Sequence, residues 1–156
     1  MHTPIGDLTI FEECGAIVAL DWGWVLDQAP TPLLRRTVSQ LAAYLDGDLT
    51  NFDLPLAPRG TAYQRAVWRA LRDIPFGETR SYQEIATTAG GSARSVGQAN
   101  GCNPIPIIIP CHRVVARSHI GGYSGGDGLT TKVWLLNHEN PQRTLFMTKA
   151  SNGETT

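Results

Sequence analysis

The chain has 156 residues, 42% of them hydrophobic and 17% charged, with a net charge of −1. That is enough apolar material for one packed domain, with or without a small lobe, and too little charge for long disorder away from the ends. No apolar run is long enough to span a membrane, Met1–Asp7 lacks the pattern of a signal peptide, and three cysteines with no C-x-x-C pair point to a reducing cytoplasm.

Residues 5–12 and 16–24 alternate, are rich in Ile, Val, Leu and Trp, and flank Glu13-Cys14-Gly15, so they read as a hairpin. Leu34, Val38, Leu41 and Leu45 recur at helical spacing, with Thr31-Pro32 as a start and Gly47 as a stop. Between Asp53 and Gly60 lie two prolines and no period. We place a linker at 55–60, after an N-terminal lobe at 1–54 and before a second domain at 61–147. The charge switches there. Residues 1–55 hold eight acids against two arginines, and residues 56–126 hold eight arginines against three acids. The middle of the chain is thus the part suited to a polyanion.

Thr61 to Leu71 reads as a helix broken by Pro75-Phe76-Gly77-Glu78. Ser81 and Glu84 have the spacing of a capping box, Gly90-Gly91 ends that short helix, and Ser92 starts another to about Asn100. Short helix, glycine turn, short helix outlines a helix-turn-helix. Its second helix is faced with Ser92, Ala93, Ser95, Gly97, Ala99 and Gly101, so it can approach another backbone closely; Arg94 is its one long cation. Residues 103–110 contain three prolines, cannot be helical, and are expected to be a stiff extended segment delivering Cys111. Gly121 to Gly126 reads as a flexible loop, and Leu129 to His138 as a closing helix that packs through Val133, Trp134 and Leu136. A tail at 148–156 is expected to be disordered. The order implies an α/β (α+β) fold: a small N-terminal β-sheet lobe with one helix, joined to a mainly helical domain containing the helix-turn-helix.

Ile109-Pro110-Cys111-His112-Arg113-Val114-Val115 is the most informative stretch. Its apolar flanks imply burial, which suits an inert thiol but not His and Arg without partners. We therefore read Cys111 as a nucleophile. On an extended backbone adjacent side chains point apart, so His112 would act through a water molecule or a local turn. Glu139 is the acid best placed to orient it, giving a Cys–His–Glu relay. The cysteine and histidine spacings do not fit a zinc site, and no metal is expected.

These residues carry a resemblance. Asn103 through Val115 resembles the active-site signature of the O6-alkylguanine-DNA alkyltransferases, and the similarity extends over Thr61–Trp68, Gly77–Tyr82, Ala93–Gly97, Gly122–Gly126 and Trp134–Glu139. Thr3-Pro4-Ile5-Gly6 resembles the start of that family's N-terminal lobe. The resemblance implies a suicide DNA-repair protein acting on double-stranded DNA that contains O6-alkylguanine, with O4-alkylthymine left open. Cys111 would take the alkyl group, with His112 and Glu139 as relay and no cofactor. Tyr82 would donate to the base and crowd a phosphate; Arg94 would enter the stack from the minor groove, flanked by Ala93 and Ser95. Asn103 would tie the helix-turn-helix to the active-site segment. The Cys111 and Val114 carbonyls would accept from the guanine amine, and Pro106, Tyr123 and Ser124 would complete the substrate contacts. The family reading expects a monomer, with cooperative binding along DNA undecided.

Three rivals differ in what they predict. A helix-turn-helix regulator, or a damage sensor that does not react, would bind DNA without transfer, but the helix after Ser92 has few long polar side chains for base readout. A cysteine hydrolase would turn over repeatedly. A regulator switched by its own alkylation would be expected to carry a fused second domain.

Overall fold

A computed structural model describes residues 1–142; the tail expected at 148–156 lies outside the described residues. β1 (Leu8–Glu13) and β2 (Ala16–Trp22) form an antiparallel hairpin through Cys14-Gly15, with a bulge between Phe11 and Glu12. β1 begins three residues later than the alternation suggests, because Gly6 at φ +105° turns the chain back toward Thr3. α1 (Pro32–Leu45) starts at the expected cap, where the Thr31 hydroxyl accepts from Leu34 N at 3.1 Å. Its inward face is Thr37, Leu41 and Tyr44. Val38, counted on the apolar stripe, is exposed. Thr37 takes the buried place because its hydroxyl returns to Leu33 O at 2.8 Å.

α2 (Ala62–Arg72), α3 (Tyr82–Ala89) and α4 (Ala93–Gly101) pack on one another. The Ser81–Glu84 capping box forms as its spacing predicts, and others join Thr61 to Gln64 and Ser92 to Ser95. The turn between α3 and α4 places Gly90 and Gly91 at φ +91° and +77°, where a side chain is strained. A two-residue parallel ladder, β3 (Arg80–Ser81) on β4 (Val114–Val115), links the entry of α3 to the chain after Cys111.

The segment before Cys111 corrects the expectation of an extended strand. It folds back on itself, with Ile108 N donating to Pro106 O and Ile109 N to Ile105 O, and with Ile107 at φ +72°. Proline forbids a helix but its fixed φ suits turns. The turn buries Ile105, Ile107, Ile108 and Ile109 together, which an alternating strand does not do. In α5 (Leu129–Glu139) the buried face is Thr131, Lys132, Leu135, Leu136 and Glu139; of the residues expected to pack, Leu136 is buried and Trp134 is half-buried against the core, while Val133 is only partly buried. The hairpin and α1 share one apolar core with the helices that follow, and Leu20 N donates to Pro104 O at 2.9 Å across that junction. Among the described residues the architecture is α/β: a small hairpin sheet, the short β3–β4 ladder and five α-helices.

Candidate active site

Cys111, His112 and Arg113 form a single 3₁₀ turn, closed by Arg113 N donating to Pro110 O at 3.0 Å. The thiol and the imidazole therefore sit on a local turn, not on opposite sides of a strand. Cys111 is 5% exposed, and two pockets meet at it. One, about 310 Å³, is walled by Tyr82, Gly97, Asn100, Gly122, Tyr123 and Ser124. The other, about 450 Å³, runs from Cys111 past Asn103 and Pro106 to Trp22 and Gly125. Both lie within the size range of small-molecule sites.

Burial pushes the Cys111 thiol up, while Asn103, the Lys132 ammonium, the local main chain and Tyr123 pull it back down. The Tyr123 hydroxyl is buried with no oxygen or nitrogen partner among the described residues. Burial and the charge of Cys111 both raise its pKa, so the phenol stays protonated against the sulfur.

Behind the thiol lies a closed polar network. His112 is fully buried, with Nε2 2.7 Å from Glu139 Oε2. Glu139 also accepts from Arg113 Nε and Nη2 at 2.8 and 3.0 Å, from the Tyr44 hydroxyl at 2.6 Å and from Gly77 N at 3.2 Å. Burial alone would raise the Glu139 pKa; His112 and Arg113 outweigh it and hold the carboxyl well below the usual range. An ionised carboxylate only accepts, so His112 Nε2 carries the hydrogen and Nδ1 keeps its lone pair. Nδ1 is buried without a protein partner among the described residues. Burial lowers the His112 pKa against the pull of Glu139. The ring is thus held neutral, with Nδ1 free of a protein partner among the described residues.

Arg113 anchors rather than faces the pocket: Nη1 donates to Ile74 O at 2.7 Å, and the guanidinium lies 5.8 Å from the Phe76 ring centre. Asn103 lies just past α4 and bonds within the turn that follows it, donating to Ile109 O at 2.8 Å and accepting from Ile105 N at 3.0 Å. Val114 lies in the site, but its carbonyl already accepts from Lys132 Nζ at 2.6 Å, leaving one lone pair for any other donor.

Tyr82 opens α3 half-buried on the pocket rim, and burial raises its pKa. Gly121, at φ +75°, makes room for it, since a Cβ there would stand 2.5 Å from the Tyr82 hydroxyl. Ser124 lies on the loop after Gly122, its hydroxyl 3.4 Å from Gly101 O. Arg94 is exposed on the first turn of α4. A cation there opposes the helix dipole by about 0.3–1 kcal/mol, a small cost that an anionic partner reverses. Ala93, Arg94 and Ser95 line neither pocket. The Ser95 hydroxyl is committed inside the turn, to Ser92 N, Ser92 O and the Tyr63 hydroxyl at 2.9, 3.0 and 2.8 Å.

Two site residues escaped the sequence reading. Lys132 is fully buried, with Nζ donating to Val114 O and to Gly122 O at 3.0 Å. Burial pushes its pKa down to about 8. Asn100 donates to Cys111 O at 3.3 Å and so ties α4 to the Cys111 turn. Their only sequence signal was helical phase: Lys132 is three before Leu135, and Asn100 four after Val96, so each falls on a buried face.

Two family profiles match the chain, "6-O-methylguanine DNA methyltransferase, ribonuclease-like domain" over residues 1–58 and "6-O-methylguanine DNA methyltransferase, DNA binding domain" over residues 62–141. A methylated-DNA–protein-cysteine methyltransferase of Mycobacterium bovis is 59% identical over 139 residues, covering 81% of this chain and 82% of that one. A constitutive methylated-DNA–protein-cysteine methyltransferase of Bacillus subtilis is 41% identical over 152 residues, covering 88% and 92%. The crystal structure of Mycobacterium tuberculosis OGT in complex with DNA superposes with a TM-score of 0.79 at 44% identity, covering 89% of this chain and 90% of that one. A buried cysteine next to a His–Glu pair, a helix-turn-helix beside it and matches across both halves agree: the chain belongs to the 6-O-methylguanine DNA methyltransferase family.

Proposed function

We propose that this protein repairs O6-alkylguanine in duplex DNA by direct reversal, moving the alkyl group once and irreversibly onto Cys111. The observation that carries the assignment of the acceptor is the buried Cys111 thiol at the junction of two pockets, backed by a neutral His112 whose Nε2 is pinned to Glu139. The thiol proton passes to His112 Nδ1, directly or across a water molecule. Sulfur attacks the alkyl carbon, the carbon–oxygen bond breaks, and its electron pair leaves on guanine O6. Tyr82 donates to the departing base, and the Lys132 ammonium steadies the thiolate before attack.

Duplex DNA is the partner, bound across α3 and α4. Arg94 fills the gap left by the flipped base, with Ala93 allowing close approach and Ser95 holding the turn. Pro106, Tyr123 and Ser124 contact the base and its alkyl group, and Asn103 keeps the acceptor turn registered on α4. Residues 1–54, the linker 55–60 and residues 61–147 are taken as a supporting lobe, its tether and the reactive domain. The protein works as a monomer in the cytoplasm; no helix among the described residues is long and apolar enough to cross a membrane.

The test is a single-turnover assay on duplex DNA carrying one O6-methylguanine, followed by peptide mass spectrometry. One methyl per molecule on Cys111 with no further turnover is expected. DNA binding without transfer, by protein with a free Cys111 thiol, would overturn the proposal in favour of a damage sensor or regulator. The same assay with O4-methylthymine, and a binding titration on longer duplexes, sets substrate range and cooperativity.

A further inference from the structure

Tyr44 belongs neither to the acceptor turn nor to the recognition helices. It stands on α1, 95 residues before Glu139, and its hydroxyl donates to Glu139 Oε2 at 2.6 Å. The ring is fully buried, edge-on to Phe76 and His138 and tilted against Phe52, with ring centres 6.1, 5.2 and 5.4 Å away. His138 Nε2 lies 2.6 Å from Tyr44 O, so main chain and side chain are both fixed. Burial and the Glu139 charge raise its pKa, so the phenol stays a donor throughout the working range of pH.

We propose that Tyr44 is a positioning residue for alkyl transfer: it fixes Glu139 Oε2 against His112 and shares the carboxylate's charge, so that His112 stays neutral with Nδ1 free to take the thiol proton. Oε2 accepts from three donors: His112 Nε2, the Tyr44 hydroxyl and Arg113 Nη2. Each donor withdraws charge from that oxygen, and a less negative oxygen makes the imidazole it holds less basic. Take Tyr44 away and the pull of Glu139 on the ring rises. Nδ1 then protonates more readily, and a protonated ring is no base. The other charged or titratable groups facing the ring do not replace this effect. Arg113 on the same turn and Lys132 on α5 both oppose protonation, and both remain when the hydroxyl is lost. Cys111 is the group the ring serves, and Tyr123 faces Cys111. The segment carrying α1 therefore completes the relay.

This inference rests on the proposed role of His112 as base. The test is Tyr44→Phe in the full chain, which keeps the ring and removes one oxygen. Methyl transfer from an O6-methylguanine duplex is timed from about pH 5 to about pH 9. The expected result is transfer slowed about tenfold on the acid side of the profile and by less than that at neutral pH. The acid limb of the profile moves up by about one pH unit. Affinity for undamaged duplex and the final stoichiometry of one methyl stay unchanged. A variant indistinguishable from wild type overturns the proposal. So does one slowed by the same factor at every pH, which would reveal packing alone. Should Tyr44→Phe fail to fold, imidazole ¹⁵N spectra of the wild type decide: a neutral ring protonated on Nε2 at neutral pH is expected, and an imidazolium or an Nδ1–H tautomer overturns it. Failure of the underlying reading looks different, since wild-type protein would then leave Cys111 unmethylated or His112→Ala would transfer at full rate.

Discussion

Lys132 carries a charge into the interior, where its ammonium donates to Val114 O and Gly122 O. Its pKa falls to about 8, against 10.5 for a free lysine, because burial disfavours the ammonium. The unfolded chain therefore holds this proton more tightly than the folded one. The penalty is complete below pH 8 and is relieved as pH rises from about 8 to about 10.5. Thermal melts of wild type and Lys132→Met should show the wild type gaining on the variant between about pH 7 and about pH 10. A difference flat in pH would mean that Lys132 keeps an ordinary pKa. The same variant should transfer methyl more slowly, having lost the cation beside the thiol. Glu139→Gln tests the opposite charge. It leaves the buried Arg113 without its anion, and breaking a buried pair costs about 3–5 kcal/mol. A melting point within a degree or two of wild type would contradict the assigned network. Cys111→Ser should bind duplex DNA as wild type does, with methyl uptake lost in the mass-spectrometric assay.

Among the elements, the α3–α4 turn is held by a hydroxyl that the sequence does not advertise. Tyr63, on α2, donates to Gly90 O at 2.9 Å and meets the Ser95 hydroxyl at 2.8 Å. Tyr63→Phe removes both contacts for about 1 kcal/mol, and the looser turn should weaken DNA binding several-fold in a fluorescence-anisotropy titration without changing the saturating transfer rate. Gly91→Ala is the harsher change, because the added Cβ would fall 2.5 Å from the Tyr63 hydroxyl at a φ of +77°. The helices were legible because their caps are short-range code: Thr31, Ser81 and Ser92 each bond a main-chain N–H three residues on. Cys111, His112 and Glu139 were legible for a chemical reason, since a thiol, an imidazole and an acid in one apolar frame need each other. The turn at 105–109 was not, because prolines exclude a helix without choosing between strand and turn. The choice fell to the burial of four isoleucines at once. Nor was Tyr44, whose partner is fixed only when α1 and α5 pack together.

For the molecule as a whole, the Cys111 thiol is part of the core. Cys111 belongs to the same buried cluster as Ile109, Val114 and Leu135. Adding a methyl group to a packed interior costs about 1–3 kcal/mol. The spent protein should therefore melt lower than the unreacted one, and equal melting temperatures would contradict this. Charge acts at the same scale. The chain is acidic in its first third and basic over residues 56–126, the stretch that contains the helix-turn-helix. Binding to undamaged duplex should weaken steeply with salt, in proportion to the number of phosphates met by arginine. A salt-independent affinity would place DNA elsewhere.

Trp22 adds a practical consequence. It closes the outer end of the pocket that starts at Cys111, stands edge-on to Tyr123 with ring centres 6.2 Å apart, and donates from Nε1 to Ile5 O at 3.1 Å. Tyr123 in turn lines both pockets together with Cys111. An indole in that position has its emission set by how the neighbouring ring and loop sit, and alkylation of the sulfur moves both. The protein thus carries its own optical reporter: a change in tryptophan fluorescence should follow transfer in real time without a label, and Trp22→Phe should silence it.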